Sequence, residues 1–270
     1  MSILSAAIPG RKSVRSFDGA PLRPEDREKL VQYLRELDNP FGIPVDCVLL
    51  DAAKEGLGSP VITGETLYVA GTVEKKPYAD VAFGVSFEKL VLFAWSLGIG
   101  TTWIAGTMKR DRFEAAAGLK AGRMMPCISP LGYPAKKRSL KETMMRKGIG
   151  ADSRLPAEKL FFDGSLDRPL GGDKLAALAG PLELVRWAPS AVNKQPWRLI
   201  AGDGAVHFYE KKDKGYVGDA TGDLQKIDVG IALCHFLLGL EDMGRQPEVK
   251  AEDPGIPIPG DMEYIATVSY

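Results

Sequence analysis

The chain has 270 residues, 45% of them hydrophobic and 26% charged, with 35 basic and 35 acidic side chains. That is the make-up of a globular protein with a substantial core, long enough for one large domain or two smaller ones. Zero net charge gives no general case for nucleic acid or an anionic membrane as partner. Only Cys47, Cys127, Cys234, His207 and His235 are available as soft or imidazole ligands, widely spaced and without a CxxC. A metal site is not expected, and free thiols point to the reducing cytoplasm. Met1 to Pro9 is too short and lacks the charged leader of a signal peptide. The longest apolar stretch, about 81–99, carries Glu88 and Lys89 in its middle and makes a poor membrane span.

Residues 2–8 read as a short helix ended by Pro9-Gly10, followed by the basic run Arg11-Lys12-Ser13-Val14-Arg15-Ser16-Phe17 and the turn signal Asp18-Gly19. Pro24-Glu25-Asp26 opens a helix, with proline in the first turn and acids at the positive dipole end. Asn39-Pro40-Phe41-Gly42 breaks it. Strands are expected at 45–50 and 66–73. Residues 81–97 predict a helix apolar nearly all round, hence buried nearly all round, ended by Gly98 and Gly100. A short strand or extended loop at 101–105, a helix at 110–117 and a core strand at 125–133 follow, then the basic residues Lys136-Lys137-Arg138.

After 146–165, which reads as a linker or crossover, the order starts again. Phe162-Asp163-Gly164 repeats Phe17-Asp18-Gly19 at an offset of 145, and Gly230 and Gly244 bracket a helix as Gly84 and Gly98 do at an offset of 146. Glu210-Lys211-Lys212 ends a strand as Glu74-Lys75-Lys76 does. The shared order is helix, break, strand, strand, buried helix, strand, in both halves. Such self-similarity predicts a degenerate internal duplication. Residues 1–145 and 166–270 are the expected halves. Their two all-apolar helices can bury each other at the junction, which gives a pseudo-dimer in one polypeptide.

Function is sought where the halves differ. The register partner of the basic run is 156–162, where both arginines and the serine are absent. The partner of Ala188-Pro189-Ser190-Ala191-Val192-Asn193-Lys194-Gln195-Pro196-Trp197 is Leu37 to Pro44, where the serine and the Asn-x-Gln spacing are absent. In an extended segment Arg11, Ser13 and Arg15 point the same way, and two guanidiniums beside a hydroxyl suit a phosphate. The 188–197 stretch, rich in turn formers, can lie flat against a planar polar ligand. Taken singly, the first stretch also fits a solvated basic face and the second an ordinary loop with Asx-type bonds.

Together these stretches, with Leu97-Gly98-Ile99-Gly100-Thr101-Thr102-Trp103-Ile104-Ala105-Gly106 and Leu131-Gly132-Tyr133-Pro134 plus its basic tail, resemble the nitroreductase superfamily of FMN-dependent oxidoreductases. The resemblance covers nearly the whole chain, with the motifs divided between halves as in single-chain tandem members. It implies an α+β, nitroreductase-like fold of two degenerate repeats, each a mainly antiparallel sheet flanked by helices, packed as a pseudo-dimer.

It also implies one FMN site. Arg11, Lys12 and Ser13 fall at its phosphate, with Lys137 or Arg138 completing it, and Arg15 falls near flavin N1 and O2. Ile104, Ala105 and Gly106 lie on the N5 side, although an acidic residue often stands where this chain has Ala105. Pro189, Ser190, Ala191, Asn193 and Gln195 come from the second half. The implied activity is ping-pong transfer of reducing equivalents from NAD(P)H to a small electrophilic acceptor of nitroaromatic or quinone type, by a functional monomer. No protein catalytic residue is named. The alternatives are an FMN-binding sensor or carrier without turnover, and a flavin-cleaving or dehalogenating relative.

Overall fold

Two long helices with no polar face set the architecture. The computed structural model describes residues 1–137 and 139–270. Helix α3 (Ala79–Ser96) and helix α7 (Leu224–Asp242) are buried along nearly their whole length and pack against each other. They cross at Gly84 and Gly230, so closely that a Cβ on Gly84 would lie 2.2 Å from the Ile227 carbonyl oxygen and one on Gly230 would lie 2.3 Å from that of Val81. Each carbonyl belongs to the residue three before the facing glycine, so the contact is reciprocal. A residue with any side chain at either position would force the helices apart.

A polar contact is buried beside this crossing. Glu88 on α3 and His235 on α7 are both fully buried, with His235 Nε2 3.0 Å from Glu88 Oε1. His235 Nδ1 lies 2.8 Å from the Leu184 carbonyl of helix α6 (Gly172–Arg186), and Trp103 Nε1 donates to Glu88 Oε2 at 3.1 Å. A carbonyl can only accept, so Nδ1 carries a proton, and the Nε2–Oε1 contact needs one of its own.

The elements around these helices follow one order twice. In the first half, helix α2 (Pro24–Arg35) precedes strands β1 (Val45–Asp51) and β2 (Leu67–Glu74), then α3, and later strand β4 (Ile128–Leu131). Strand β2 is central, antiparallel to β1 (Val45 opposite Val73) and to β4 (Leu67 opposite Leu131). Its alternation serves two cores, since Leu67, Val69 and Val73 face the helices while Tyr68 and Ala70 face a smaller cluster around Phe113 and Met125. In the second half α6 precedes β7 (Trp197–Ala201) and β8 (Ala205–Lys211), then α7, then β12 (Met262–Ser269), with β8 central between β7 and β12 and antiparallel to both.

The remaining pieces are α1 (Ile3–Ala7), α4 (Arg110–Ala116), β3 (Arg123–Met124), α5 (Leu140–Gly148), β5 (Phe161–Asp163), β6 (Ser165–Pro169), the small hairpin β9 (Val217–Gly218) with β10 (Gly222–Asp223), and β11 (Glu248–Lys250). The second sheet runs β11-β12-β8-β7-β5-β6, and β5 joins β7 in parallel.

Two expectations change in detail. The strand expected at 125–133 shortens to β4, and a gap at 125–127 separates it from β3. Pro126 has no N–H for a ladder, and the Met125 and Pro126 carbonyls turn to the Arg110 guanidinium, which also holds the Ala105 carbonyl at 2.8 Å. The stretch 146–165 also holds the end of α5, a 3-10 turn at Ala157–Lys159 and strand β5, which pairs with both β6 and β7. Among the described residues no helix is long and apolar enough to cross a membrane.

Candidate functional site

The basic run lies extended between the loops of the first half. Val14 N–H donates to the Thr101 carbonyl at 2.8 Å and Phe17 N–H to that of Thr63 at 2.8 Å. Val14 fits because Gly100 faces it, where an added Cβ would lie 2.8 Å from the valine side chain. Val14, Ser16 and Phe17 are buried, and the alternate residues Arg11, Ser13 and Arg15 border two adjoining cavities.

The 188–197 stretch forms the facing wall. Val192, Asn193 and Gln195 have φ of 51°, 56° and 52°, the left-handed region that costs a residue with a Cβ on the order of 1–3 kcal/mol. Hydrogen bonds hold them there. Ser190 Oγ accepts from Gln195 N–H at 2.9 Å, and Asn193 Nδ2 donates to the Gly150 carbonyl at 2.8 Å and the Ser153 carbonyl at 3.1 Å. Gln195 Oε1 accepts from Leu155 N–H at 2.9 Å. Ala191 N–H donates to Asp228 Oδ2 on α7 at 2.9 Å.

The first cavity, about 340 Å³, is mainly apolar. Ser13, Arg15, Thr102 to Thr107 and Cys127 of the first half face Pro189 to Val192, Gly215, Tyr216, Leu224, Ile227, Asp228 and Ile231 of the second, with Ile149 between. The second, about 260 Å³, shares Ser13, Ile149, Pro189 and Ser190 with it and is basic: Arg11, Lys12, Arg146 and Arg154 line it, with Asn193 and Trp187.

The electrostatics point to an anion in the basic compartment. Arg11 is nearly buried, and among the described residues its Nε and Nη1 lack hydrogen-bond partners, as does Arg15 Nη1. Glu88 is 3.9 Å from Arg11 Nε, too far for a hydrogen bond. Burial holds the Arg11 guanidinium below its ordinary pKa, with Glu88 opposing and Arg146 adding to the shift. Arg154 is depressed likewise by burial and by Arg11, and its guanidinium lies 5.1 Å over the Trp187 ring. Arginine keeps its proton regardless, so these are buried cations with open donors, an arrangement that is costly until an anion meets it. Asp228 is the reverse case: burial pushes its carboxyl well above the usual range, Asp223 and Glu210 add to the rise, and the Ala191 N–H opposes it.

The structure therefore brings together Arg11, Lys12, Ser13, Arg15, Ile104, Ala105, Gly106, Pro189, Ser190, Ala191 and Asn193 around two joined cavities. Gln195 is buried inside its own loop, where it shapes the turn and lines neither cavity. Lys137 is exposed and lines neither, and Arg138 lies outside the described residues. Arg146 and Arg154 are further cations lining the basic compartment. The sequence signal for Arg146 is the basic last turn of α5, paired with Asp152. Asp228 also escaped notice, although a carboxyl in so apolar a helix is itself a signal.

Comparison with known proteins identifies the family. A family model described as "Putative TM nitroreductase" matches residues 4–240. "Putative NAD(P)H nitroreductase acg" of Mycobacterium tuberculosis, in strains CDC 1551 / Oshkosh and ATCC 25618 / H37Rv, is 31% identical over 90 residues, which are 33% of this chain and 26% of that protein. The chain thus spans about a quarter of the length of the curated relatives it matches. A crystal structure described as a putative nitroreductase from Thermotoga maritima shares the fold, with a TM-score of 0.63 at 21% identity over 100% of this chain and 94% of that one. With the family model spanning most of its length, the chain belongs to this nitroreductase family.

Proposed function

We propose that the chain is an FMN-dependent oxidoreductase, passing reducing equivalents from NAD(P)H to a small electrophilic acceptor of nitroaromatic or quinone type. The observation that carries the reading is the adjacency of the two compartments. An apolar slot suits a planar ring system, and it opens directly onto buried guanidiniums with unpartnered nitrogens, which suit a phosphate.

The residues present fit the cofactor. Arg11, Ser13, Arg146 and Arg154 hold the phosphate, and Arg15 sets a positive charge at the edge of the ring compartment, where it favours added negative charge on the ring. The segment Ile104 to Gly106 forms one wall and Pro189 to Asn193 the other. When bound, FMN supplies the two-electron chemistry that lets donor and acceptor use one site in turn, a ping-pong exchange.

The halves act as a fused pseudo-dimer, residues 1–145 and 166–270 joined through 146–165. Three features support this: the reciprocal crossing at Gly84 and Gly230, the common order of elements, and the left-handed glycines at matching ends (Gly19 and Gly164, Gly98 and Gly244). The chain then works as a monomer with one site, and its three free cysteines suit a reducing cytoplasm.

Titration of the purified chain with FMN tests the reading. Saturation at one FMN per chain, a rise in Tm, weaker binding of riboflavin, and anaerobic bleaching by NADH or NADPH with recovery of colour on adding a quinone are expected. A protein that FMN neither colours nor stabilises overturns it.

A further inference from the structure

Asp228 stands apart from every other carboxyl near the cavities. It sits on α7 in the wall of the apolar compartment and is 5% exposed. One of its oxygens accepts the Ala191 N–H. The charged groups acting on it are both acidic, Asp223 at the start of α7 and Glu210 at the end of β8, while the nearby Lys226 is taken up by Glu263 at 2.6 Å. From the loop before β4 the Cys127 thiol faces it, itself driven upward by burial and by Asp228. Burial and two acidic neighbours favour the protonated form of a carboxyl so placed, against the Ala191 N–H, which favours the charged one.

The acceptor chemistry needs one such proton. A quinone that gains a hydride on one oxygen is left with a phenolate oxygen, and one proton completes the hydroquinone. A nitro group that gains a hydride and one proton loses water and becomes a nitroso group. In both cases NAD(P)H is the two-electron reductant, acting through the bound cofactor, and a single proton remains to be supplied per turnover. Resting on the flavin reading above, we infer that Asp228 is a catalytic residue, the general acid that gives this proton to the acceptor. Its O–H bond breaks as the acceptor O–H bond forms, and the carboxylate recovers a proton from water. Solvation in the apolar cavity is poor, so the carboxylate is short-lived and the acid is restored for the next turnover.

Asp228→Asn is the variant of choice, because Asn keeps an oxygen for the Ala191 N–H. The holoprotein and variant are compared in three ways. FMN affinity is expected to be unchanged. The 13C carboxyl resonance of Asp228, assigned by its loss in the variant, is expected at the protonated position at pH 7. Reoxidation of the pre-reduced variant by a quinone is expected to slow by about 10²-fold and to lose the decline at high pH that the wild type shows. Asp228→Glu is expected to restore part of that rate and the pH limb, which a purely structural role would not produce. A carboxylate resonance at pH 7, or normal reoxidation of an FMN-loaded Asp228→Asn protein across the pH range, overturns the inference. Failure of both proteins to bind FMN overturns the flavin reading, and the inference falls with it.

Discussion

The loops 37–44 and 188–197 occupy matching places in the two halves, and they use their side chains differently. In the first, Asn39 Nδ2 donates to the Ile43 carbonyl at 2.7 Å and to Ser86 Oγ of α3 at 3.0 Å, its Oδ1 accepts from Phe41 N–H at 3.1 Å, and the left-handed position falls on Gly42. In the second, the left-handed positions fall on Val192, Asn193 and Gln195, and the amide of Asn193 reaches out to Gly150 and Ser153. The segments 11–17 and 156–162 divide in the same way. Arg11 and Arg15 turn to the cavities, whereas Leu160 and Phe161 sink into the core. In each pair one member is relaxed and serves packing, while the other is strained or charged and borders the cavities. Such strain is expected where a site over-determines its backbone.

The buried contact between α3 and α7 joins the two regions, and the largest effect is expected there. His235→Ala leaves Glu88 buried with only Trp103 as hydrogen-bond partner, and breaking a buried pair in this way costs about 3–5 kcal/mol. Thermal unfolding should show a large fall in Tm. Glu88→Gln should fall much less, because a glutamine can still accept from Trp103 and donate to a neutral His235. Equal losses from both variants would show that charge, and not hydrogen bonding, holds the junction.

The charged and uncharged members of the other pair separate next. Arg11→Ala should weaken FMN binding by about 1.5–3 kcal/mol for each charge-assisted hydrogen bond lost. Lys159→Ala, at an exposed position of the counterpart segment, should leave the Kd unchanged. Isothermal titration of both variants decides it, and similar losses would refute a single site built on the first-half segment.

Much of this arrangement was legible in the residues. Helices α3 and α7 declare themselves because no face of either is polar, and the run 11–17 shows its direction through the alternation of arginine and serine with Val14 and Ser16. What stayed hidden depends on long-range packing. Arg146 and Arg154 enter the basic compartment only because α5 and the turn after it fold beside Arg11; the basic last turn of α5 marks Arg146 as a helix-end cation, not as a neighbour of residues 11–13. The exposed Lys137, by contrast, sits in a local pattern that looks right. Asp228 looked like one polar position in an apolar helix until Ala191, distant in sequence, supplied its partner. Pro126 was visible as a strand breaker, but the Arg110 guanidinium that exploits the break was not.

The start of each long helix gives a pH-dependent contrast. Lys226 on α7 is paired with Glu263, while its counterpart Asp80 on α3 has a buried oxygen without a partner among the described residues; burial raises its carboxyl to about 6, the Asp223 charge adding to the rise and the Asp223 N–H and Lys226 opposing it. A raised carboxyl pKa favours the folded state only in its protonated form. As pH climbs from the unfolded value of 3.8 to about 6, the unfolded chain releases a proton that the folded chain retains, so stability falls over that window and stays lower above it. Asp80→Asn should abolish this fall, a gain of at most about 3 kcal/mol above pH 6. Urea unfolding at pH 4 and pH 7 measures it, and a variant that gains as much at pH 4 as at pH 7 would place the effect elsewhere.

The smallest effect bears most directly on the two loops. Val192 is β-branched, 60% exposed and held at φ 51°, while the relaxed loop has glycine at its left-handed position. Val192→Gly should relieve the strain and stabilise the free protein by roughly 1 kcal/mol, partly offset by the greater freedom of glycine in the unfolded chain. Val192 also lines the apolar compartment. The same substitution should therefore remove apolar wall and let the Pro189–Asn193 loop wander, weakening FMN binding as it raises the Tm of the free chain. Opposite signs in the two measurements are what a strained cavity wall predicts. If Val192→Gly instead lowers the Tm of the free chain, the left-handed backbone there carries no strain, and the contrast between the two loops reduces to hydrogen bonding alone.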